Sequence, residues 1–335
     1  MEGYQRVGAL VAVPRLLHQF GQNPAEILSA NGFATNVLEN PENLLSLASS
    51  GRLILACVAA TKCSHFGLLI GQQAGTKSLG LVGQLMRNAP TLGSAIYDLC
   101  VNQPRYVKGS VVYLSIQEKI AIWGYGIHLP NVQGIEQVND LVVAMAFNMI
   151  RELSGLAPEQ IRIARPTPDD VRPYIQLFGQ MPIFDAEQSA IVFPSKFLNR
   201  PVKSANLHVR MELEKAVAKY WLVTQPSIKD QVVRILRARS VCGQATLANV
   251  AKELGLHPRT LNRKLEIDGT NFRSLLTLGR LEISRQLLRN TRMKITDIAQ
   301  ALGYSETSAF TRAFQNSAGK SPLAWRKQSW SNLEQ

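Results

Sequence analysis

The chain has 335 residues, 46% of them hydrophobic, which is long enough for two or three domains and too apolar for wholesale disorder. Its 37 Lys and Arg against 24 Asp and Glu give +13, unevenly spread: residues 1–227 carry 19 basic and 16 acidic side chains, residues 228–335 carry 18 and 8. A basic third of that strength points to a polyanion, either nucleic acid or an anionic membrane, and charge alone does not choose between them.

In chain order, Val13-Pro14-Arg15-Leu16-Leu17 begins an amphipathic helix, and Pro14 and Arg15 break the apolar run 10–13 that a secretory signal would need. Asn23-Pro24 and Asn40-Pro41 predict two further helix starts. Residues 44–60 form a longer apolar-periodic stretch, with shorter ones at 80–86 and 94–101. The runs 110–115 and 120–125 are β-branched and aromatic, and flank Gln117-Glu118-Lys119 as a hairpin would. Residues 137–153 return to helix; the apolar run within it is about half a membrane span and contains Asn148. Strands are expected at 161–164 and 190–193, with a helix at 171–178 between them that Asp170 caps. The expected fold class is therefore α+β for residues 1–200, with the sheet in about 110–195. A helix over 205–223, with Met211, Val217, Tyr220 and Trp221 as its apolar face, makes 201–228 a linker helix closed by Pro226 and available for dimer contact. Four scattered cysteines, Cys57, Cys63, Cys100 and Cys242, without a CxxC pair, point to a reduced, cytoplasmic setting.

Beyond Pro226 the sequence repeats itself. Leu247, Val250, Ala251 and Leu254 fall at helical spacing and are followed by Gly255; Ile295, Ile298, Ala299 and Leu302 do the same before Gly303. Each is a short amphipathic helix stopped by a glycine suited to a left-handed turn. A second helix follows each glycine. One starts at His257-Pro258-Arg259 and turns Leu261 and Leu265 inward; the other starts at Ser305-Glu306, with Ser305 as the N-cap, and turns Phe310 and Phe314 inward. Gly269-Thr270-Asn271-Phe272 then matches Gly319-Lys320-Ser321-Pro322. Helix, glycine turn, helix is the helix-turn-helix pattern, and two copies in the most basic part of a chain select DNA over a membrane surface. An all-α domain is expected at 229–328, its units joined by one helix over 270–290 with Phe272, Leu276, Gly279, Ile283 and Leu287 along one side. At roughly 30 Å that helix is close to the ≈34 Å between major grooves one turn apart.

The segments Ile295-Thr296-Asp297-Ile298-Ala299-Gln300-Ala301-Leu302-Gly303-Tyr304-Ser305, Ser308-Ala309-Phe310-Thr311-Arg312-Ala313-Phe314, Gly319-Lys320-Ser321-Pro322 and Trp325-Arg326 resemble the signature of the AraC/XylS family of bacterial transcription regulators. Tyr304 departs from the family's more usual Phe. The first two-thirds resembles the effector domain of the ornithine-utilisation-regulator branch, with an arabinose-binding-type N-terminal domain in the family's sense and no cupin-barrel strand pattern before residue 110. The resemblance implies promoter DNA, RNA polymerase and a small effector as partners, a possible homodimer, and no cofactor; it suggests an amino acid or a fatty or quorum-type signal as effector.

On the first recognition helix Arg259, Asn262 and Arg263 share one face, opposite Leu261 and Leu265. Arg can bond guanine O6 and N7 together, and Asn can do the same to adenine N6 and N7. Thr307, Ser308 and Arg312 hold the corresponding places on the second helix. Lys264 and Lys320, with Arg273, Arg289 and Lys327, suit phosphates or solvent. Glu306, near the groove, should point away or select cytosine. For the effector, Arg105, Tyr106, Trp123 and Tyr125 are candidates between the sheet and its covering helices. Cys63-Ser64-His65 lacks the ligands to complete a metal site, His18 and His128 stand alone, and no GxGxxG, P-loop, GxSxG or HExxH occurs, so neither a metal nor an enzyme is expected. The alternatives for the first 200 residues are a protein-partner domain or a haem or gas sensor.

Overall fold

Strand β1 (Tyr4–Arg6) pairs antiparallel with β2 (Leu44–Ser46), a ribbon absent from the sequence reading. Between them lie α1 (Val13–Gln19) and α2 (Pro24–Ala30), the latter capped by Asn23, whose Oδ1 accepts from the Ala25 amide at 3.1 Å. The expected helix at Asn40-Pro41 is instead a turn: Asn40 Oδ1 accepts from the Glu42 amide at 2.9 Å. An Asn side chain caps a turn as readily as a helix, and here the turn feeds β2. This computed structural model describes residues 3–107, 110–127, 133–220, 227–240 and 245–331.

The stretch at 44–60 divides at Ser46, which ends β2 and caps α3 (Leu47–Thr61) by accepting from the Ser49 amide. Then come α4 (Phe66–Gln73), α5 (Gly80–Arg87) and α6 (Leu92–Tyr106), the last starting before its apolar pattern, where Thr91 caps it, and running on beyond that pattern to Tyr106. The hairpin forms as expected from β3 (Ser110–Gln117) and β4 (Ile120–Ile127). It is followed by α7 (Ile135–Ser154), β5 (Gln160–Arg162), α8 (Arg172–Phe178) and β6 (Ser189–Pro194). Asp170 accepts from the Arg172 amide at 3.0 Å, the capping bond its position suggested. The four strands make one antiparallel sheet in the order β3-β4-β6-β5.

The period of two gives this sheet two distinct faces. Tyr125, Trp123, Ser189 and Ile191 share one face, since Tyr125 pairs with Ser189 and Trp123 with Ile191, and these residues line a cavity together with α6 and α7. Val111, Tyr113, Gly124 and Gly126 share the other, as Val111 pairs with Gly126 and Tyr113 with Gly124.

Helix α9 (Leu207–Tyr220) lies against α5, and its Arg210 clasps Asp98 of α6 with bonds of 2.7 and 3.1 Å. Its apolar residues do not form one stripe: Val217 is buried and Met211 half exposed, six residues and hence about 120° apart around the helix. Helices α10 (Ile228–Ser240), α11 (Leu247–Glu253), α12 (Pro258–Ile267), α13 (Phe272–Asn290), α14 (Ile295–Ala301), α15 (Thr307–Ala318) and α16 (Pro322–Ser331) complete an all-helical C-terminal region. The chain thus has an α+β N-terminal region and a helical C-terminal one. No single described helix is long and apolar enough to cross a membrane. The side chains of Arg105, Tyr106 and Tyr220, and residues His128, Trp221, Pro226 and Cys242, lie outside the described residues.

Candidate nucleic-acid interface and effector cavity

Each copy of the repeat folds as its pattern requires. In the first, Val250 and Ala251 of α11 and Leu261 and Leu265 of α12 are fully buried; in the second, Ile298, Ala299 and Leu302 meet Phe310 and Phe314. The chain reverses between the paired helices at Gly255 (φ +64°) and Gly303 (φ +73°), a backbone conformation that costs an L side chain about 1–2 kcal/mol. The correspondence runs on into a third helix. Asn271 caps α13 by accepting from the Ser274 amide at 2.9 Å, and Ser321 caps α16 by accepting from the Ala324 amide at 3.3 Å.

The caps of the second helices differ. His257 Nδ1 accepts from the Arg259 amide at 3.3 Å, with Pro258 at the first helical position. Ser305 is not the N-cap of α15; that position is Glu306, which makes no side-chain capping bond. The Glu306 carboxylate instead accepts from Ser308 Oγ at 2.9 Å, so it is tied to its own helix and engages a hydroxyl on that helix's outer side.

The inward Leu and Phe residues leave the opposite sides of α12 and α15 to solvent. Arg259, Arg263 and Lys264 are exposed with Asn262 half-buried; Ser308 and Arg312 are exposed with Thr307 half-buried. Lys320 is exposed and donates to Gln328 Oε1 at 2.9 Å. The two helix pairs therefore present side chains of the base-reading and phosphate-binding types outward.

Not all of the basic excess faces outward. Arg326 of α16 is buried and donates to Leu288 O at 3.1 Å, in the last turn of α13, and to Met293 O at 2.6 Å, between α13 and α14. Arg280 lies 4.6 Å from the centre of the Tyr304 ring and donates to Gly303 O at 3.2 Å. Burial lowers both guanidinium pKa values. Arg239 is shared between Glu253, at 2.7 and 2.9 Å, and the Tyr97 ring, at 4.8 Å. These three arginines are engaged within the protein, so the outward positive charge comes from the exposed remainder.

Helix α13, 19 residues and roughly 29 Å long, joins the two units. Gly279, Ile283 and Leu287 are buried as expected, with Phe272 and Leu276 half-buried, but Leu275, Leu281 and Leu288 are buried too. Its first half packs in the core of the first unit, and its second half joins the core that the second unit shares with the sheet. That shared core is the main feature the sequence did not announce. Helix α14 lies on β3, and the start of the second unit fits a notch at Gly126, where a Cβ would come within 2.9 Å of Thr291 Cγ2. Full burial raises the hydroxyl pKa of Tyr113, and the Asp297 carboxylate adds to that shift. The Arg292 amide donates to Glu187 O at 3.1 Å just ahead of β6. The first unit is attached elsewhere: Tyr97 of α6 donates to Glu253 of α11 at 3.1 Å.

On the opposite face of the sheet lies a cavity of about 160 Å³. Of the four effector candidates, Trp123 and Tyr125 line it. The sequence did not single out Gln103, Met145, Ala146 or Ser189, which line it as well. The signal for the α7 residues was the unusually continuous burial potential of 141–150; none existed for Gln103. Burial pushes the Tyr125 hydroxyl up to about 12, its bond to Ser110 opposing. At Cys63-Ser64-His65, burial pushes the thiol up and the imidazole down, and the described residues contain no group of three metal-ligating side chains.

Comparison with known proteins finds a family match in each of the two regions. Residues 21–202 match the family described as the arabinose-binding domain of AraC transcription regulator, N-terminal, and residues 250–328 match a helix-turn-helix domain. The HTH-type transcriptional regulator VirS of Mycobacterium tuberculosis is 25% identical over 319 residues, 93% of each chain. The ornithine utilization regulator of Pseudomonas aeruginosa is 26% identical over 321 residues, again 93% of each. Among solved structures, the transcriptional regulator CdpR from Pseudomonas aeruginosa covers 78% of this chain and 86% of its own, at 24% identity and a TM-score of 0.40.

Proposed function

The chain belongs to the AraC family of transcription regulators, and from that premise we propose that it binds promoter DNA through both helix-turn-helix units, in successive major grooves, under control of a small effector held in the cavity behind the sheet. The observation that carries this reading is the duplicated pair of helices, each with its apolar side buried and Arg259, Asn262 and Arg263, or Thr307, Ser308 and Arg312, on the outer side. We assign direct base contacts to these six, with Arg263 and Arg312 to guanine, and phosphate contacts to Lys264 and Lys320. The tie between Ser308 and Glu306 supports a role for Glu306 in orienting that hydroxyl.

An effector acts only through different affinities for two arrangements of the protein. The packing supports a route. Helix α6 lines the cavity with Leu99 and Gln103 and meets the first unit through Tyr97. The sheet lines it with Trp123 and Tyr125 and meets the second unit at Gly126. A ligand that shifts α6 against the sheet changes the spacing of the two units on DNA. We place the domains at 1–200 and 229–328, joined by the helix in 201–228, and the protein in the cytoplasm with RNA polymerase as a partner. We place the contact with a second copy at Leu207 and Met211, exposed one turn apart on α9.

The test is selection of genomic fragments by the full chain, compared with Arg263→Ala and Arg312→Ala. The reading expects a recurring site of two half-motifs, with one base position relaxed by each variant. A single half-motif indifferent to Arg263 would refute two-unit recognition.

A further inference from the structure

The effector cavity is unusual in what its walls lack and in what they leave unpaired. Its lining is dominated by side chains such as Leu99, Val112, Leu141, Met145 and Met149. Among the described residues, the only charged ones on it are Arg6 and Glu42, and these form an ion pair with each other. An ionised ligand would therefore lose its hydration without a counter-charge, the least favourable way to bury a charge.

Two polar atoms on residues of the same wall find no partner among the described residues. Trp123 Nε1 is a donor only, on a residue 4% exposed. Gln103 is 5% exposed, and its amide is oriented by its neighbours: Nε2 donates to Ser110 Oγ at 2.7 Å, and Ser110 in turn bonds Tyr125. That chain leaves Gln103 Oε1 as an open acceptor. Buried donors and acceptors without partners are rare in folded chains and call for an explanation. Here one unsatisfied donor and one unsatisfied acceptor sit on residues that line the same mostly apolar cavity. Its size, about 160 Å³, is close to the roughly 150 Å³ cavity that holds a benzene-sized guest.

Resting on the reading of this cavity as the effector site, we propose that its ligand is a small uncharged molecule, mostly hydrocarbon and about one ring in size, carrying a hydroxyl or secondary amide that accepts from Trp123 Nε1 and donates to Gln103 Oε1. A hydroxyl and a secondary amide each combine the two functions; a carboxylate has no proton to give, and an ammonium has no lone pair to offer. A free amino acid fits poorly, because both of its charges would go unmatched on these walls.

Phenol is the probe that carries the required features, and calorimetry on the full chain measures it. Wild type should bind phenol, and Trp123→Phe and Gln103→Leu should each raise the Kd about fivefold, the worth of one neutral hydrogen bond. Toluene, which lacks the hydroxyl, should bind all three proteins alike, which separates a lost bond from a damaged cavity. Benzoate and ornithine should bind at least about a hundredfold more weakly than phenol. Ala146→Phe, which fills the cavity, should abolish phenol binding while circular dichroism reports a folded chain. Benzoate or ornithine binding that Ala146→Phe removes would overturn the ligand class and leave the cavity as the effector site. Phenol binding that survives Ala146→Phe would overturn both, and a folded wild type that ignores phenol overturns the proposal.

Discussion

Gly126→Val tests whether the sheet and the second helix-turn-helix unit act as one body. Gly126 sits on β4 opposite Val111, and a Cβ there would stand 2.9 Å from Thr291 Cγ2, well inside ordinary carbon contact. Thr291 cannot easily turn away: its Oγ1 donates to Leu287 O at 2.7 Å and accepts from the Met293 amide at 3.3 Å. Valine is a good strand residue, so β4 itself should tolerate it, and the strain falls on the contact between regions. Overpacking of this kind costs about 1–3 kcal/mol, which shifts the balance between docked and undocked second unit by about 5- to 150-fold. Hydrogen exchange reads this directly. The amides of Leu287–Ala301 should exchange faster in the variant, while those of α11 and α12 keep their wild-type protection. DNA affinity should change with them and become less responsive to a cavity ligand. If exchange in 287–301 and ligand response both match wild type, the shared core does not couple cavity to DNA, and the proposed route is wrong.

Three further outcomes follow from particular side chains. Arg326→Met removes the donors to Leu288 O and Met293 O, leaving two carbonyls short of a partner; it should destabilise the C-terminal region by about 2–4 kcal/mol, read by denaturant unfolding of the full chain. Lys264→Ala should weaken binding to cognate and unrelated DNA alike and lower the slope of log K against log salt by about 1, whereas a change confined to one base position would make it a base reader. Asp98, buried beside Arg210, is pushed from 3.8 up to about 6 because loss of hydration outweighs the guanidinium. The folded chain therefore binds a proton between those values that the unfolded chain releases, so this group's contribution to stability is fully present below about pH 4 and lost as pH rises through about 6. The stability of wild type relative to Asp98→Asn should accordingly fall between pH 4 and pH 7, and a rise over that interval would contradict the assignment.

The parts legible in the sequence were those governed by local periodicity and by left-handed turns. Val250, Ala251 and Leu254 before Gly255, repeated at Ile298, Ala299 and Leu302 before Gly303, fix short helices wherever they occur, and the repetition pointed to a duplicated helix-turn-helix pattern. The hairpin at 110–127 was legible for the same reason. Three features were not. Asn40-Pro41 and Ser305 carry the residue types of helix caps, but those side chains serve turns equally well, and only the following chain decides which. The ribbon of Tyr4–Arg6 with Leu44–Ser46 joins segments about 40 residues apart, and pairing at that distance leaves no local signature. The docking of Thr291 at Gly126 is hidden for a related reason: a glycine within a strand signals close approach, and the sequence does not say what approaches. The candidate site shows the same split. Outward faces of α12 and α15 followed from their inward Leu and Phe residues, whereas the cavity draws on strands and helices far apart in the chain, so Trp123 and Tyr125 were found by residue type and Gln103 was not.

The central claim, that both units read DNA together, is tested most directly by guanine N7 methylation protection on a selected promoter fragment, since that atom lies in the major groove. Wild type should protect guanines in two patches about one helical turn apart, Arg263→Ala should expose a guanine in one patch, and Arg312→Ala should expose one in the other. Protection confined to a single patch, or loss of both patches together in either variant at saturating protein, would contradict the account.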